Sequence, residues 1–110
     1  MSVSVHVIDC VYGRPAVAMS VGLSREINGE YREQWRDETD DDGRILALLK
    51  APLPRGSYAL ELNLDGYFRK LGLMPVNSAV TMRFYMPSET HYYGLSVLVT
   101  PSACITYKEA

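Results

Sequence analysis

The first segment of the chain, SVSVHVID at residues 2–9, alternates polar and apolar residues. Because successive side chains of a β-strand point to opposite faces, this alternation predicts a strand with one apolar and one mostly polar face. The apolar face carries Val3, Val5 and Val7, and the other face carries Ser4, His6 and Ile8. A titratable ring in mid-strand is either a structural residue or part of a site, and this sets the question of what His6 does.

Similar segments, separated by turn residues, continue along the chain and predict about seven or eight strands, which is typical of a β-sandwich. After a Gly- and Pro-containing break at 12–16, the predicted strands cover 17–27, 30–39, 44–51, 58–64, 79–85 and 93–100, with a short last one at 106–108. Asn28-Gly29 favours a tight hairpin turn between the second and third strands.

One segment departs from the strand pattern. DGYFRKLG, at 65–72, offers Asp65 as an N-cap and Gly72 as a C-terminal stop around a short amphipathic stretch. It therefore predicts a helix of about two turns. The predicted fold is an all-β sandwich with one short helix, formed by a single domain over residues 1–110.

Composition narrows the class of protein. The chain has 110 residues, of which 47% are hydrophobic and 22% charged, and its formal net charge of -2 argues against nucleic acid or an anionic membrane as a partner. With neither a signal-peptide pattern nor a membrane-length apolar run, we expect a cytoplasmic protein. Cys10 and Cys104 show no metal-ligand spacing and are expected to be free, buried thiols. The acidic run at 37–42 lacks the spacing of a calcium loop and is expected to be a solvated loop.

The order of several short motifs resembles the transthyretin family over essentially the whole chain. The motifs are HVIDCVYGRPA, TDDDGR, GSYALELNLDGYFRKLG, and VLVTP followed by a terminal TYKEA. The resemblance implies an eight-stranded antiparallel sandwich with one short helix. It also implies a homotetramer in which two dimers face each other across a channel, with small-molecule sites at that seam and no cofactor.

The enzymatic branch of this family comprises the 5-hydroxyisourate hydrolases of purine (urate) breakdown. Its pattern contains a His in the first strand, an Arg after an Asp-Gly turn, a second His in a His-Tyr-His stretch, and a C-terminal Tyr-Arg-Gly-Ser. His6 and Arg44 match the first two components. The resemblance implies that His6 acts as general base or orients water, and that Arg44 stabilises a developing oxyanion. We expect the two to converge across a subunit seam; by itself, Arg44 could equally pair with Asp40, Asp41 or Asp42.

The remaining components depart from the family pattern. Gly94 takes the position of the second His, and Tyr92 that of its partner His. His91 is the nearest imidazole, but its strand parity is opposite, so a bulge would be needed to turn it inward. The terminal YKEA keeps Tyr107, with Lys108, Glu109 and Ala110 where Arg, Gly and Ser would stand. Tyr92, Gly94, Ser96 and Tyr107 are the expected substrate-binding residues.

Two functions remain open on this evidence. The first is a hydrolase that opens a small cyclic amide, 5-hydroxyisourate or a relative. The second is a transthyretin-like protein, non-hydrolytic or redirected, that binds or converts another small heterocycle in the tetramer channel.

Overall fold

The computed structural model describes residues 1–109 and contains nine strands and one helix. In chain order the elements are β1 (Ser2–Asp9), β2 (Arg14–Pro15), β3 (Ser20–Ile27), β4 (Glu30–Glu38), β5 (Arg44–Leu48), β6 (Gly56–Asn63), α1 (Leu64–Lys70), β7 (Ala79–Met86), β8 (Tyr92–Thr100) and β9 (Ala103–Lys108). The predicted all-β sandwich with one short helix is confirmed.

The strands form two sheets. The first sheet has the order β2-β1-β8-β9, and β5 also pairs with β1; the second has the order β4-β3-β6-β7. The predicted antiparallel arrangement holds for every strand pair except one, because β1 and β8 run parallel. This parallel pair sits at the centre of the first sheet and joins the beginning of the chain to its last hairpin.

The hydrophobic core lies between the sheets. The valines of β1 are at most 1% exposed and pack there, which confirms the predicted inward face of that strand. Tyr58, Leu60 and Leu62 of β6 face them from the second sheet. Burying such side chains stabilises the fold by about 1.5–3 kcal/mol each relative to leaving them exposed. The polar face of β1 must therefore point outward.

The Asn28-Gly29 turn forms as predicted between β3 and β4. Both residues have positive φ, 52° for Asn28 and 84° for Gly29. A two-residue turn of this kind matches the twist of the flanking strands, and these two residue types tolerate the left-handed conformation. The local sequence was sufficient to place this hairpin.

The helix differs from its prediction at its start. It spans Leu64–Lys70, and Asn63, not Asp65, is the N-cap, accepting a hydrogen bond from the Gly66 N–H at 3.0 Å. Asp65 lies in the first turn and pairs with Arg69. Both Asn and Asp are good N-caps, so the end of β6 decided between them. The predicted stop is confirmed, because Gly72 follows the cap with φ 77°.

Several strand boundaries also differ: β2 lies in the predicted break, β5 ends at Leu48 rather than at 51, and β6 begins at Gly56 rather than at 58. β3 begins at Ser20 rather than at 17, because the preceding residues form a turn held by Thr39, whose Oγ1 donates to the Ala16 carbonyl and accepts from the Met19 N–H. β9 begins at Ala103, earlier than the predicted 106.

Both cysteines are free, as expected, but Cys10 is exposed. In the described part of the chain no helix has the length and apolarity needed to cross a membrane.

Candidate functional site

Four predicted site residues form one row across the outward side of the first sheet, which we call the outer face. Strand register places His6 opposite Arg44 of β5 and beside Ser96 of β8, and it places Ser96 opposite Tyr107 of β9. Side chains at such paired positions share a face, and in the antiparallel pairs their Cβ atoms lie about 4.5–5.5 Å apart. We call this set the central row.

His6 and Arg44 are thus neighbours within one chain. The prediction that they meet across a subunit seam was wrong in this respect, because β5 folds directly against β1. The side chain of His6 is partly buried between its two neighbours in the row. An imidazole and a guanidinium side by side offer a proton acceptor next to a fixed cation.

The Asp-Gly turn before β5 fixes the position of Arg44, the first residue of that strand. One carboxylate oxygen of Asp40 accepts hydrogen bonds from the Asp42 and Arg44 N–H groups, each at 2.9 Å. Gly43 is buried with φ 73°, and a Cβ there would lie 2.5 Å from the Val7 carbonyl oxygen. Only glycine fits this close approach to β1, so the turn holds Arg44 opposite His6.

The guanidinium of Arg44 is not engaged by the acidic turn. Asp40 binds backbone N–H groups with its side chain. The ion pairs among residues 1–109 involve Arg32, Arg36 and Arg69, and none involves Arg44. The alternative in which Arg44 simply pairs with its neighbouring aspartates is therefore not what the structure shows.

A second row lies next to the central row, toward the start of β1. Ser4 pairs with Leu46 of β5 and with Gly94 of β8, and the Glu109 N–H donates to the Gly94 carbonyl at 2.9 Å. Tyr92 lies one row further along, beside Ser2, and is 72% exposed. Tyr92 and Gly94 are therefore on the same face as His6, as the strand parity predicts.

His91 is not brought to this face. It precedes β8 and is exposed, and its carbonyl accepts from the Ser2 N–H at 2.8 Å. β8 pairs with β1 continuously from Tyr92 to Val99, so the bulge that would turn His91 inward is not formed. The reason is the register with β1, which begins at Tyr92 directly after His91.

Sequence reasoning named Glu109 only as a departure from the family pattern and missed its contact with the site. Its Oε1 accepts a hydrogen bond from the Ser96 hydroxyl at 2.6 Å, and Ser96 is only 3% exposed. The sequence did contain a signal for this contact. If residues are paired in register outward from the turn at 101–102, starting with Thr100 and Ala103, Gly94 comes opposite Glu109. The adjoining position Ala110 lies outside the described residues.

The polar rows are bordered by exposed apolar side chains. Leu46 and Leu48 of β5 are 64% and 80% exposed, and Ile105 of β9 is 62% exposed. A cleft of about 380 Å³ opens over Gly94 at one end of β8. On the opposite face Tyr93 packs against Phe84, and burial raises the pKa of its phenol. An apolar border around convergent polar groups is typical of a small-molecule site.

Comparison with known proteins places this arrangement in a family. The family model described as the HIUase/Transthyretin family matches residues 3–109. A curated relative from Caulobacter vibrioides, named 5-hydroxyisourate hydrolase, is 31% identical over 109 residues, covering 94% of this chain and 93% of the relative.

Solved structures show the same fold. The 5-hydroxyisourate hydrolase of Klebsiella pneumoniae has a TM-score of 0.83 and 29% identity, with full coverage of both chains. Transthyretin from Sparus aurata has a TM-score of 0.86 and 25% identity, covering 97% of this chain and 95% of that one. The resemblance therefore extends to both branches of the family.

Proposed function

Because this chain belongs to the HIUase/transthyretin family, we propose that it hydrolyses 5-hydroxyisourate or a closely related small cyclic amide. The observation that carries the proposal is the adjacency of His6 and Arg44 on the outer face. The 31% identity, over 94% of this chain, to a protein named 5-hydroxyisourate hydrolase supports the choice of substrate class.

The chemistry follows from the two side chains. Water attacks the ring carbonyl, His6 accepts a proton from it or orients it, and a new C–O bond forms. Arg44 stabilises the negative charge that develops on the carbonyl oxygen. The C–N bond of the ring then breaks, and the departing nitrogen takes up the proton. No other reactant is needed, and a general base of this kind contributes about 10²–10⁴-fold to a rate.

The other residues of the face serve binding in this proposal. Tyr107 continues the central row and offers a hydroxyl group to the polar edge of a heterocycle, whereas the buried hydroxyl of Ser96 donates to Glu109 and positions it. Tyr92 offers a ring for stacking at the edge of the cleft that Glu109 also lines. A hydroxyl group for the polar edge and an aromatic ring for the face support a flat, polar, ring-shaped substrate.

The proposal includes a homotetramer whose outer faces enclose a channel. The exposed Leu46, Leu48 and Ile105 support it, because exposed apolar side chains on both sides of a polar centre favour burial against a partner surface. A cytoplasmic location is part of the same proposal, and the two free cysteines support it.

The direct test is the decay of freshly prepared 5-hydroxyisourate followed spectroscopically, with wild-type protein and with His6→Ala. We expect the wild type to accelerate the decay and the variant to lose about 10²–10⁴-fold of that acceleration. His91→Ala is the matched control, because it removes the other imidazole of the chain from an exposed position outside the rows. Equal rates for wild type and His6→Ala would exclude the proposed role.

A second candidate is binding, or conversion of a different heterocycle, without 5-hydroxyisourate hydrolysis. The observation that favours it is Gly94, which leaves the position of the family's second imidazole without a side chain. This candidate expects no acceleration by the wild type. It also expects calorimetric titration with small heterocycles to reveal a ligand whose binding is abolished by Arg44→Ala.

A further inference from the structure

Gly94 and Glu109 form a reciprocal exchange. In the hydrolase pattern these positions hold His and Gly; in this chain they hold Gly and Glu. The two residues face each other across the β8–β9 pair, since the Glu109 N–H donates to the Gly94 carbonyl at 2.9 Å. A polar side chain and a glycine have therefore changed places between neighbouring strands.

The side chain of Glu109 fills the space that a side chain at position 94 would need. A Cβ built on Gly94 would lie 2.8 Å from Glu109 Oε2 and 3.2 Å from Glu109 Cβ. It would also lie 3.2 Å from the Ser4 hydroxyl oxygen. The carboxylate thus occupies the beginning of the volume in which the family's second imidazole would stand.

Within the described residues, one oxygen of the Glu109 carboxylate accepts a hydrogen bond and the other accepts none. Ser96, nearly fully buried, donates to Oε1 at 2.6 Å. Among residues 1–109 no group donates a hydrogen bond to Oε2, which faces the cleft over Gly94. Since Ser96 is also the cross-strand neighbour of His6, this oxygen lies one row from the imidazole.

We propose that Glu109 replaces the missing imidazole as a proton-accepting group of the site. This inference rests on the proposed function. In the hydrolytic step Glu109 Oε2 accepts a proton from the attacking water while the C–O bond forms. The resulting carboxylic acid returns that proton to the ring nitrogen as the C–N bond breaks. His6 then orients the water, and Ser96 is a positioning residue that fixes the carboxylate.

Three variants test the role of Glu109 in the 5-hydroxyisourate decay assay. Glu109→Gln keeps an acceptor for Ser96 and removes the charge, so it separates proton transfer from structure. We expect its kcat to fall about 10²–10⁴-fold. Glu109→Gly opens the space, and added formate should restore part of its rate. Gly94→His/Glu109→Gly rebuilds the family pattern and should exceed Glu109→Gly by at least about tenfold.

Glu38→Gln is the matched control, because it makes the same chemical change at an exposed position of β4 in the other sheet. Its rate should equal that of the wild type, with or without formate. A wild type that hydrolyses 5-hydroxyisourate while Glu109→Gln retains the full rate would overturn this inference and leave the proposed function standing. A loss in Glu109→Gly that neither formate nor the added Gly94→His substitution restores would reduce Glu109 to a structural role. A wild type without activity would overturn the proposed function itself.

Discussion

On the outward side of each sheet, a charged side chain covers a glycine of an inner strand, but the two charges differ in sign and in their partners. On the second sheet, Arg36 lies over Gly22, where a Cβ would come within 2.6 Å of its guanidinium. On the first sheet, Glu109 lies over Gly94 in the same way. In each case a charged side chain from a neighbouring strand covers a glycine in an inner strand.

The difference is in what the protein provides for the charge. The guanidinium of Arg36 lies 2.7 Å from the Glu61 carboxylate and 2.8 Å from that of Glu33. Hydrogen bonds to Glu61 and then Glu33 raise the pKa of Arg36. This network is complete without a ligand.

The outer face of the first sheet has no such completion. Among residues 1–109 neither Arg44 nor Glu109 belongs to an ion pair. Unpaired charges next to exposed apolar side chains do not help folding, so they are expected where a ligand or a partner supplies the missing interactions. The two outward sides therefore differ in whether, within the described residues, the charge that covers the glycine is paired: Arg36 is, and Glu109 is not.

The largest effect expected from the comparison of the two faces is the difference in kcat between variants of Arg44 and Arg36. Arg44→Met should reduce kcat for 5-hydroxyisourate by about 10²–10³-fold, the typical cost of removing one group that stabilises an oxyanion. Arg36→Met should leave kcat unchanged and lower the free energy of unfolding by less than about 1 kcal/mol, because its ion pairs are partly exposed. Steady-state kinetics and urea unfolding of both variants provide the measurement. Similar kinetic losses in both would erase the distinction between the faces.

The next effect compares the two glycines. In Gly94→Ala the new methyl group displaces the end of the Glu109 side chain, and we expect kcat to fall about tenfold to a hundredfold, as misplaced catalytic groups do. Gly22→Ala displaces Arg36 and Glu33 instead, so kcat should not change. Thermal unfolding of both variants checks that each still folds. An unchanged kcat in Gly94→Ala would show that the position of the carboxylate does not matter.

The smallest effect concerns a carboxylate whose partners are all supplied by the protein. Asp9 is fully buried, and its oxygens accept from the Val11 and Tyr12 N–H groups and from the Tyr67 hydroxyl at 2.7 Å. Tyr67→Phe should lower the free energy of unfolding by about 1–2 kcal/mol, the cost of leaving a buried acceptor short of a donor. Its kcat should match the wild type, in contrast to Glu109→Gln.

The same tyrosine predicts a pH dependence. Burial, and then the hydrogen bond to Asp9, raise the pKa of Tyr67 from 10.0 to about 12. The folded state therefore holds this proton more tightly than the unfolded state, so stability should fall as pH rises from about 10 to about 12. Urea unfolding across this range should show a smaller decline in Tyr67→Phe. A decline of equal slope in both proteins would assign it to other groups.

Much of the fold was predictable because the signals are local. Alternation placed the valines of β1 inward and His6 outward, and Asn28-Gly29 specified its hairpin. The helix cap was wrong by two residues, since Asn63 and Asp65 are both good caps and the end of β6 decided between them. The bulge required by His91 did not form, because β8 keeps its register with β1 from Tyr92 onward.

The sequence by itself determined which residue types are present for chemistry and which face of a strand each one takes. It also determined the exchange of His and Gly for Gly and Glu relative to the family pattern. Only the tertiary structure decided that Arg44 lies beside His6 in the same chain and that Glu109 folds over Gly94 onto Ser96. The physical reason is that side-chain parity is a property of one strand, whereas register between strands distant in sequence is set by closing the whole sheet around its core.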